Sequence, residues 1–363
     1  MGICAIALGY LLLFVLGLLM FSVSNSSLSH KSVKYMLFLA TISLSVLAYH
    51  TVAVQSDDLY RYFFQMDIFR TQGLDYAIIE GPWGNTPLST LILYLFSLTG
   101  DNHLLPMFTT LVIWGGYLYI ICDVLHYKYG SIPIRKLFVY LLALIFVTNI
   151  YGTISGVRAP LGSVVVVWAI YLDFSKKRKI SWLLYLAAVL CHVHYANILI
   201  IRLIMGLSVN KKRKGFLLVG VLLVYFVGFQ ILEHSSLSYL QHLSEKTQMY
   251  SGFAENGVGW FISKILLFSS LVLFALSIKP TEKISYEQIE FTQALLLFNL
   301  VMLFVYDYIP MRLQAVSLMT CLPLAAMAKR NKVVFRIALA IFILWMFIDL
   351  KYEIALYSRW LLE

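Results

Sequence analysis

Apolar runs of membrane length recur along nearly the whole chain, and short clusters of lysine and arginine separate them. A run of about 20 apolar residues spans roughly 30 Å of hydrocarbon as a helix. Lipid offers a backbone no hydrogen bonds, so such a segment must be a helix or part of a closed barrel. The runs are continuous rather than alternating, which excludes the barrel. Hydrophobic residues make up 61% of the chain and charged residues 13%, against roughly 25% charged in soluble domains. The class that follows is an all-α polytopic membrane protein with about 10–12 transmembrane helices.

Crossings are expected near 3–22, 35–54, 104–124, 137–150, 159–174, 216–232, 260–278, 290–306, 312–328 and 333–349. The first run lacks a basic leader and a clear cleavage site, so it reads as a retained span. Residues 1–363 read as one transmembrane domain, with 55–103 and 233–259 as its large outer loops. Residues 87–98, "PLSTLILYLFSL", are too short to cross and read as a re-entrant or interfacial helix.

The net charge of +10 does not point to nucleic acid. The basic residues sit between spans, which is the positive-inside pattern, and the partner they imply is the bilayer. Cys4, Cys122, Cys191 and Cys321 have neither metal-ligand nor redox spacing. There is no HExxH, no P-loop and no DxD beside a nucleotide site, so no metal and no cofactor are expected.

Two "KKRK" clusters, 176–179 and 211–214, flank the apolar run 182–206, which "CHVHYAN" interrupts. A single crossing would put one cluster outside. A broken helix that turns near His192–Asn197 and returns keeps both inside, and non-helical backbone at that depth requires a polar cavity or protein around it. One tilted helix with an imperfect charge rule is the alternative.

This topology gives the cytoplasmic side nineteen of the 28 lysines and arginines. The other nine are Arg61, Arg70, Arg158, Arg202, Lys246, Lys264, Arg312, Lys351 and Arg359. Arg202 either pairs with a carboxylate or reaches the cytoplasmic headgroups, because a charge inside the membrane costs roughly 2.5–3.5 kcal/mol on insertion scales. Arg158 opens the span 159–174, with Pro160 suited to a first helical turn. Its guanidinium and the unpaired N–H groups of a helix N-terminus make an anion site; an arginine snorkelling to the interface has the same sequence.

The first outer loop mixes Asp57, Asp58, Asp67, Asp75 and Glu80 with aromatic residues. Rings and carboxylates suit sugars, whereas an aromatic interfacial belt, with Asp57 and Arg61 as an i,i+4 pair, needs no ligand. "DYIPMRLQ" sets Asp307 and Arg312 on an outer turn, as a local pair or as ligand contacts. "SEKTQMYSG" places Lys246 and Tyr250 in the second outer loop. His192 and His194 stand at the break, where a histidine is either a hydrogen-bonded structural residue or a general base.

Taken in order, these elements resemble the Wzy-type O-antigen and exopolysaccharide polymerases, in particular their EpsG-like branch. "DLYRY", Asp58 to Tyr62, resembles the family's Asp-Tyr-x-x-Tyr loop core, with Leu59 in place of the first tyrosine. Glu80 stands where a later acid precedes a span. "RAPLG" keeps the arginine of Arg-Gln-x-x-Ala as Arg158. "HYANIL" keeps the histidine of His-x-Ser-Ala-Leu as His194, with Ala196 in place of the serine. Lys246 with Tyr250, and Arg312-Leu313, resemble the later elements.

The resemblance implies a GT-C-like architecture and an inverting glycosyltransferase at the periplasmic face of a bacterial inner membrane. It would join oligosaccharide repeat units carried on undecaprenyl pyrophosphate and release the lipid pyrophosphate. A separate chain-length regulator protein is implied as a partner. The residues implied for catalysis are His194, Asp58, Glu80, Arg158 and Arg312, with Arg61, Tyr62, His192, Lys246, Tyr250 and Asp307 binding substrate. The competing readings are a lipid-linked oligosaccharide flippase and a glycosyltransferase using a polyprenyl-phosphate sugar.

Overall fold

A computed structural model describes residues 26–53, 55, 57–80, 86–207, 209–234, 257–281, 284–305 and 308–362, with 11–12, 14–18 and 20. The protein is about 85% helical. Among the described residues, five helices are long and apolar enough to cross a membrane: His30–Tyr49, Leu104–Tyr129, Gly259–Ser277, Tyr286–Val305 and Ile309–Met327. A helical membrane protein is therefore established at this level. The chain divides into two compact units, Met1–Ala196 and Asn197–Glu363.

In the first unit the helices are α1 (His30–Tyr49), α2 (Asp58–Asp75), α3 (Pro87–Ser97), α4 (Leu104–Tyr129), α5 (Ile134–Thr148), α6 (Ile150–Ser155), α7 (Arg158–Phe174) and α8 (Ser181–Cys191). Local chemistry sets their ends. The Ser29 hydroxyl accepts from the Ser32 N–H at 3.1 Å, so α1 starts five residues before the expected span. Thr86 precedes Pro87, a proline in a first turn, and opens α3. Asn149, at φ 47°, ends α5 and caps α6 by accepting from the Gly152 N–H at 3.0 Å. The expected spans 137–150 and 159–174 are thus helices of 15 and 17 residues, shorter than a full perpendicular crossing.

One end of this unit is basic. Strands Ser27–Leu28 and Ile132–Pro133 pair there, joining the start of α1 to the link between α4 and α5. Lys176 reaches Asp123 at 2.9 Å and ties the end of α7 to α4. The Lys34 ammonium lies 4.8 Å from the Tyr119 ring. Lys31, Lys128, Arg135, Lys136 and the cluster 176–179 belong to the same end by their places on α1, α4, α5 and the α7–α8 link. The opposite end is closed by α2 and α3. Arg70 donates to the Ser97 carbonyl at 2.8 Å and to Asn102 at 2.7 Å, and the Tyr49 hydroxyl donates to Asp101 at 2.8 Å. The short helix expected over 87–98 is therefore α3, packed on α2.

The second unit carries α9 (Ala196–Gly206), α10 (Lys211–His234), α11 (Gly257–Ser277), α12 (Tyr286–Val305), α13 (Tyr308–Met327) and α14 (Lys332–Leu362). Its basic end is marked by the pairing of Ile278–Lys279 with Lys329–Arg330. Arg202, 7% exposed, donates to Glu287 at 2.7 Å, so of its two readings the structure adopts the carboxylate pair. Lys211 reaches Glu290 at 2.9 Å, and that hydrogen bond holds the lysine above its ordinary pKa. α14 runs 31 residues, well past the span expected to end at 349.

Deeper in this unit, Lys264 and Asp349 join α11 to α14. They are 7% and 2% exposed, 3.3 Å apart, and the Ser263 hydroxyl donates to the same carboxylate at 2.7 Å. Removing one partner of a buried pair strands the other charge and costs about 3–5 kcal/mol. Asp349→Leu should therefore lower the thermal unfolding temperature of the detergent-solubilised protein markedly, and adding Lys264→Met should restore most of it. An unchanged transition in the single variant would show that the pair does not hold these helices.

Candidate functional site

Arg158 is the first residue of α7, at the end of the first unit opposite the basic residues. A cation here opposes the helix dipole, whose N-terminus already carries partial positive charge. The site is therefore doubly attractive to an anion. α2 and α3 orient the side chain: its Nε donates to the Tyr62 hydroxyl at 3.3 Å and its Nη1 to the Thr86 hydroxyl at 3.4 Å. The guanidinium carbon lies 5.8 Å from the centre of the Tyr62 ring. Tyr62 and Thr86 are each 3% exposed, so the fork is held by fixed groups rather than by mobile surface chains. A snorkelling arginine would extend toward water; this one is gripped from two helices of the outer loop.

The sequence elements that precede α7 converge on the same end. Asp57 stands just before α2, and its carboxylate accepts a hydrogen bond from Tyr151 on α6. The expected Asp57–Arg61 pair is absent among the described contacts. Arg61 pairs instead with Asp58, at 3.5 Å and i,i+3, and both are well exposed. The helical phase explains the exchange: Asp57 lies outside the helix, where its side chain turns toward α6, and Asp58 lies within it beside Arg61. Asp58 and Arg61 thus sit on the solvent side of α2, whereas Tyr62 sits on its buried side.

The broken helix is present. α8 ends at Cys191, His192 is extended at φ −159° and ψ 124°, and Val193–Tyr195 form a single 3-10 turn before α9. The His192 ring nitrogen Nδ1 accepts from the His194 N–H at 3.5 Å, and the two rings lie 4.7 Å apart. Two contacts anchor this turn to the Arg158 end of α7. The Tyr195 hydroxyl donates to the Ala159 carbonyl at 2.5 Å. Gly162 gives the Tyr195 ring its place, because a Cβ there would lie 2.3 Å from the ring. His192 and His194 are therefore on the same end of the unit as Arg158, Asp57 and α2.

Arg312 lies in the first turn of α13, half-buried, in the second unit and away from that unit's basic end. Lys246, Tyr250 and Asp307 lie outside the described residues, as does the side chain of Glu80, whose backbone closes the π-helical turn Tyr76–Glu80. Thr86, Tyr151 and Tyr195 belong to the site and were not singled out as functional by the sequence reading, which offered Asp57 only as one of several loop carboxylates. Thr86 carried a signal, as a capping residue before proline. Tyr151 and Tyr195 carried none, because one tyrosine among 24 declares no partner.

The basic end is not without acids and imidazoles. His30 and His126 stack at 3.8 Å beside Asp123. What distinguishes the other end is the arginine at a helix start with a carboxylate and two imidazoles on the surrounding elements. That combination can bind an anion and accept a proton nearby. The described residues include no cluster of three or more potential metal ligands. Comparisons with protein-family models, with curated proteins and with solved structures found no match.

Filling the space under Tyr195 tests the coupling. Gly162→Ala should force the ring aside, break its bond to Ala159 and cost about 1–3 kcal/mol, as overpacking does. Thermal unfolding should show the loss, and the double variant Gly162→Ala with Tyr195→Leu should recover part of it. Equal stability of Gly162→Ala and the native chain would separate the histidine turn from α7.

Proposed function

We propose that this protein is a polysaccharide polymerase that joins polyprenyl-pyrophosphate-linked oligosaccharides at the outer face of a bacterial inner membrane. The observation that carries the reading is the Arg158 fork, held by Tyr62 and Thr86 at the start of α7. A lipid diphosphate presents its charge at the membrane surface, and an arginine grips phosphate oxygens with two parallel hydrogen bonds. As the sugar transfers, negative charge grows on the departing phosphate oxygen. A preorganised guanidinium with helix N–H groups stabilises that charge, and removing one such donor costs about 10²–10³ in rate.

The attacking hydroxyl needs a base. His194 is the first choice and Asp57, through its bond with Tyr151, the second; general-base assistance is worth about 10²–10⁴-fold. Direct displacement by the hydroxyl inverts the anomeric carbon. Exposed Asp58 and Arg61, with the aromatic residues of α2, are available to the sugars. Asp58 and Glu80 stay candidate bases and Arg312 a candidate catalytic cation, with Lys246, Tyr250 and Asp307 as candidate substrate contacts.

The positive-inside rule gives the basic end of each unit to the cytoplasm. α8 and α9 each have 11 residues, about 16 Å of helix at 1.5 Å per residue. Each starts or ends at the basic end of its own unit, and with the charge rule this supports the re-entrant reading of the run over one tilted helix. We read the histidine turn as the tip of that excursion, at the Arg158 end of α7, and a GT-C-like architecture remains part of the proposal.

In a strain lacking the native gene, Arg158→Ala should abolish the polymer ladder and leave single repeat units, with Arg158→Lys retaining a small fraction. Wild-type ladders from a well-expressed Arg158→Ala variant would remove the hypothesis. A flippase would be marked instead by loss of exported repeat units altogether. With purified protein and lipid-linked repeat units, His194→Ala should slow turnover by about 10²-fold or more. Turnover within a fewfold of wild type would transfer the base to Asp57.

A further inference from the structure

Gln65 is 6% exposed, yet its amide nitrogen has no hydrogen-bond partner. Roughly nine in ten buried polar groups are paired, so an orphaned buried donor calls for a reason. The residue sits on the inner face of α2 with Leu59, Tyr62, Met66 and Phe69, all buried. α3 packs against this helix, and none of its side chains accepts from the Gln65 amide. Two more buried groups at this end lack partners, the Thr110 hydroxyl and His103 Nδ1, near the start of α4. This end of the unit therefore holds polar groups that the protein itself does not satisfy.

Gln65 is three residues from Tyr62, so the two share a helix face with β-carbons about 5–6 Å apart. Tyr62 in turn holds the Nε of Arg158. A ligand that sets a phosphate against Arg158 presents its next chemical group within reach of Gln65. On a lipid-linked oligosaccharide that group is the sugar bonded to the diphosphate. We propose that the Gln65 amide donates to an acceptor oxygen of that first sugar, a hydroxyl or an N-acyl carbonyl, and so sets selectivity for it. The assignment rests on the lipid-diphosphate reading of the Arg158 site.

The test is binding to the purified full chain in nanodiscs, with two probes: polyprenyl diphosphate and polyprenyl diphosphate carrying one N-acetylhexosamine. Wild type should bind the sugar-bearing probe more tightly than the bare one. Gln65→Leu and the near-isosteric Gln65→Met should lose about tenfold in affinity for the sugar-bearing probe, the scale of one hydrogen bond, and nothing for the bare probe. An unchanged sugar affinity, an equal loss for both probes, or no preference in wild type would each overturn the assignment; the last is the result expected if the amide merely holds a buried water. Turnover of lipid-linked repeat units, measured in the same preparation, separates the two claims. Sugar discrimination without polymer sinks the polymerase and keeps Gln65, and polymer without discrimination does the reverse.

Discussion

A charge buried in hydrocarbon must be answered by a partner or moved to water, and this constraint organises the whole chain. Most lysines and arginines meet it by lying at the basic ends of the two units. Three of the less exposed ones are answered individually. Lys264 is held by Asp349 and Arg202 by Glu287. Arg158 is directed by Tyr62 and Thr86. The first two are carboxylate pairs that bind elements of one unit together. Arg158 stands at a helix N-terminus, where the helix dipole adds to its positive field, and two hydroxyls help to orient it.

That difference turns a folding problem into a site. α3 is short and α2 carries five charged residues, so they lie over one end of the first unit rather than cross it. They bring Tyr62 and Thr86 to the guanidinium. The short α6 brings Tyr151 to Asp57, and the break after α8 brings Tyr195 to Ala159. Each of these contacts joins segments 36–96 residues apart in sequence. Together they fix the first turn of α7 from several sides.

The helical class, the broken run at 192 and the short helix over 87–97 were legible in the sequence, because each follows from the length of an apolar run or from the side on which basic clusters fall. Arg158 was legible as a cation at the mouth of a span. The expected boundaries were less accurate where capping chemistry decided them, as Ser29 did for α1 and Asn149 for α5. The choice between Asp57 and Asp58 was not legible. They are neighbours at the start of one helix, and only the exact helix start, after Asp57, gives the first to Tyr151 and the second to Arg61. Gln65 and Tyr195 were equally silent, since a polar residue on an apolar helix declares itself only when its neighbours are in place.

The central claim is that the two ends of the first unit face opposite compartments, with Arg158 and its loop helices opposite the 176–179 cluster. Cysteine labelling on a Cys4→Ser background measures this directly, since Cys122, Cys191 and Cys321 are buried while Arg61 and Lys177 are exposed. In sealed right-side-out vesicles, a membrane-impermeant thiol reagent should modify an Arg61→Cys variant at once and a Lys177→Cys variant only after permeabilisation. Labelling of both variants from the same side would contradict the account.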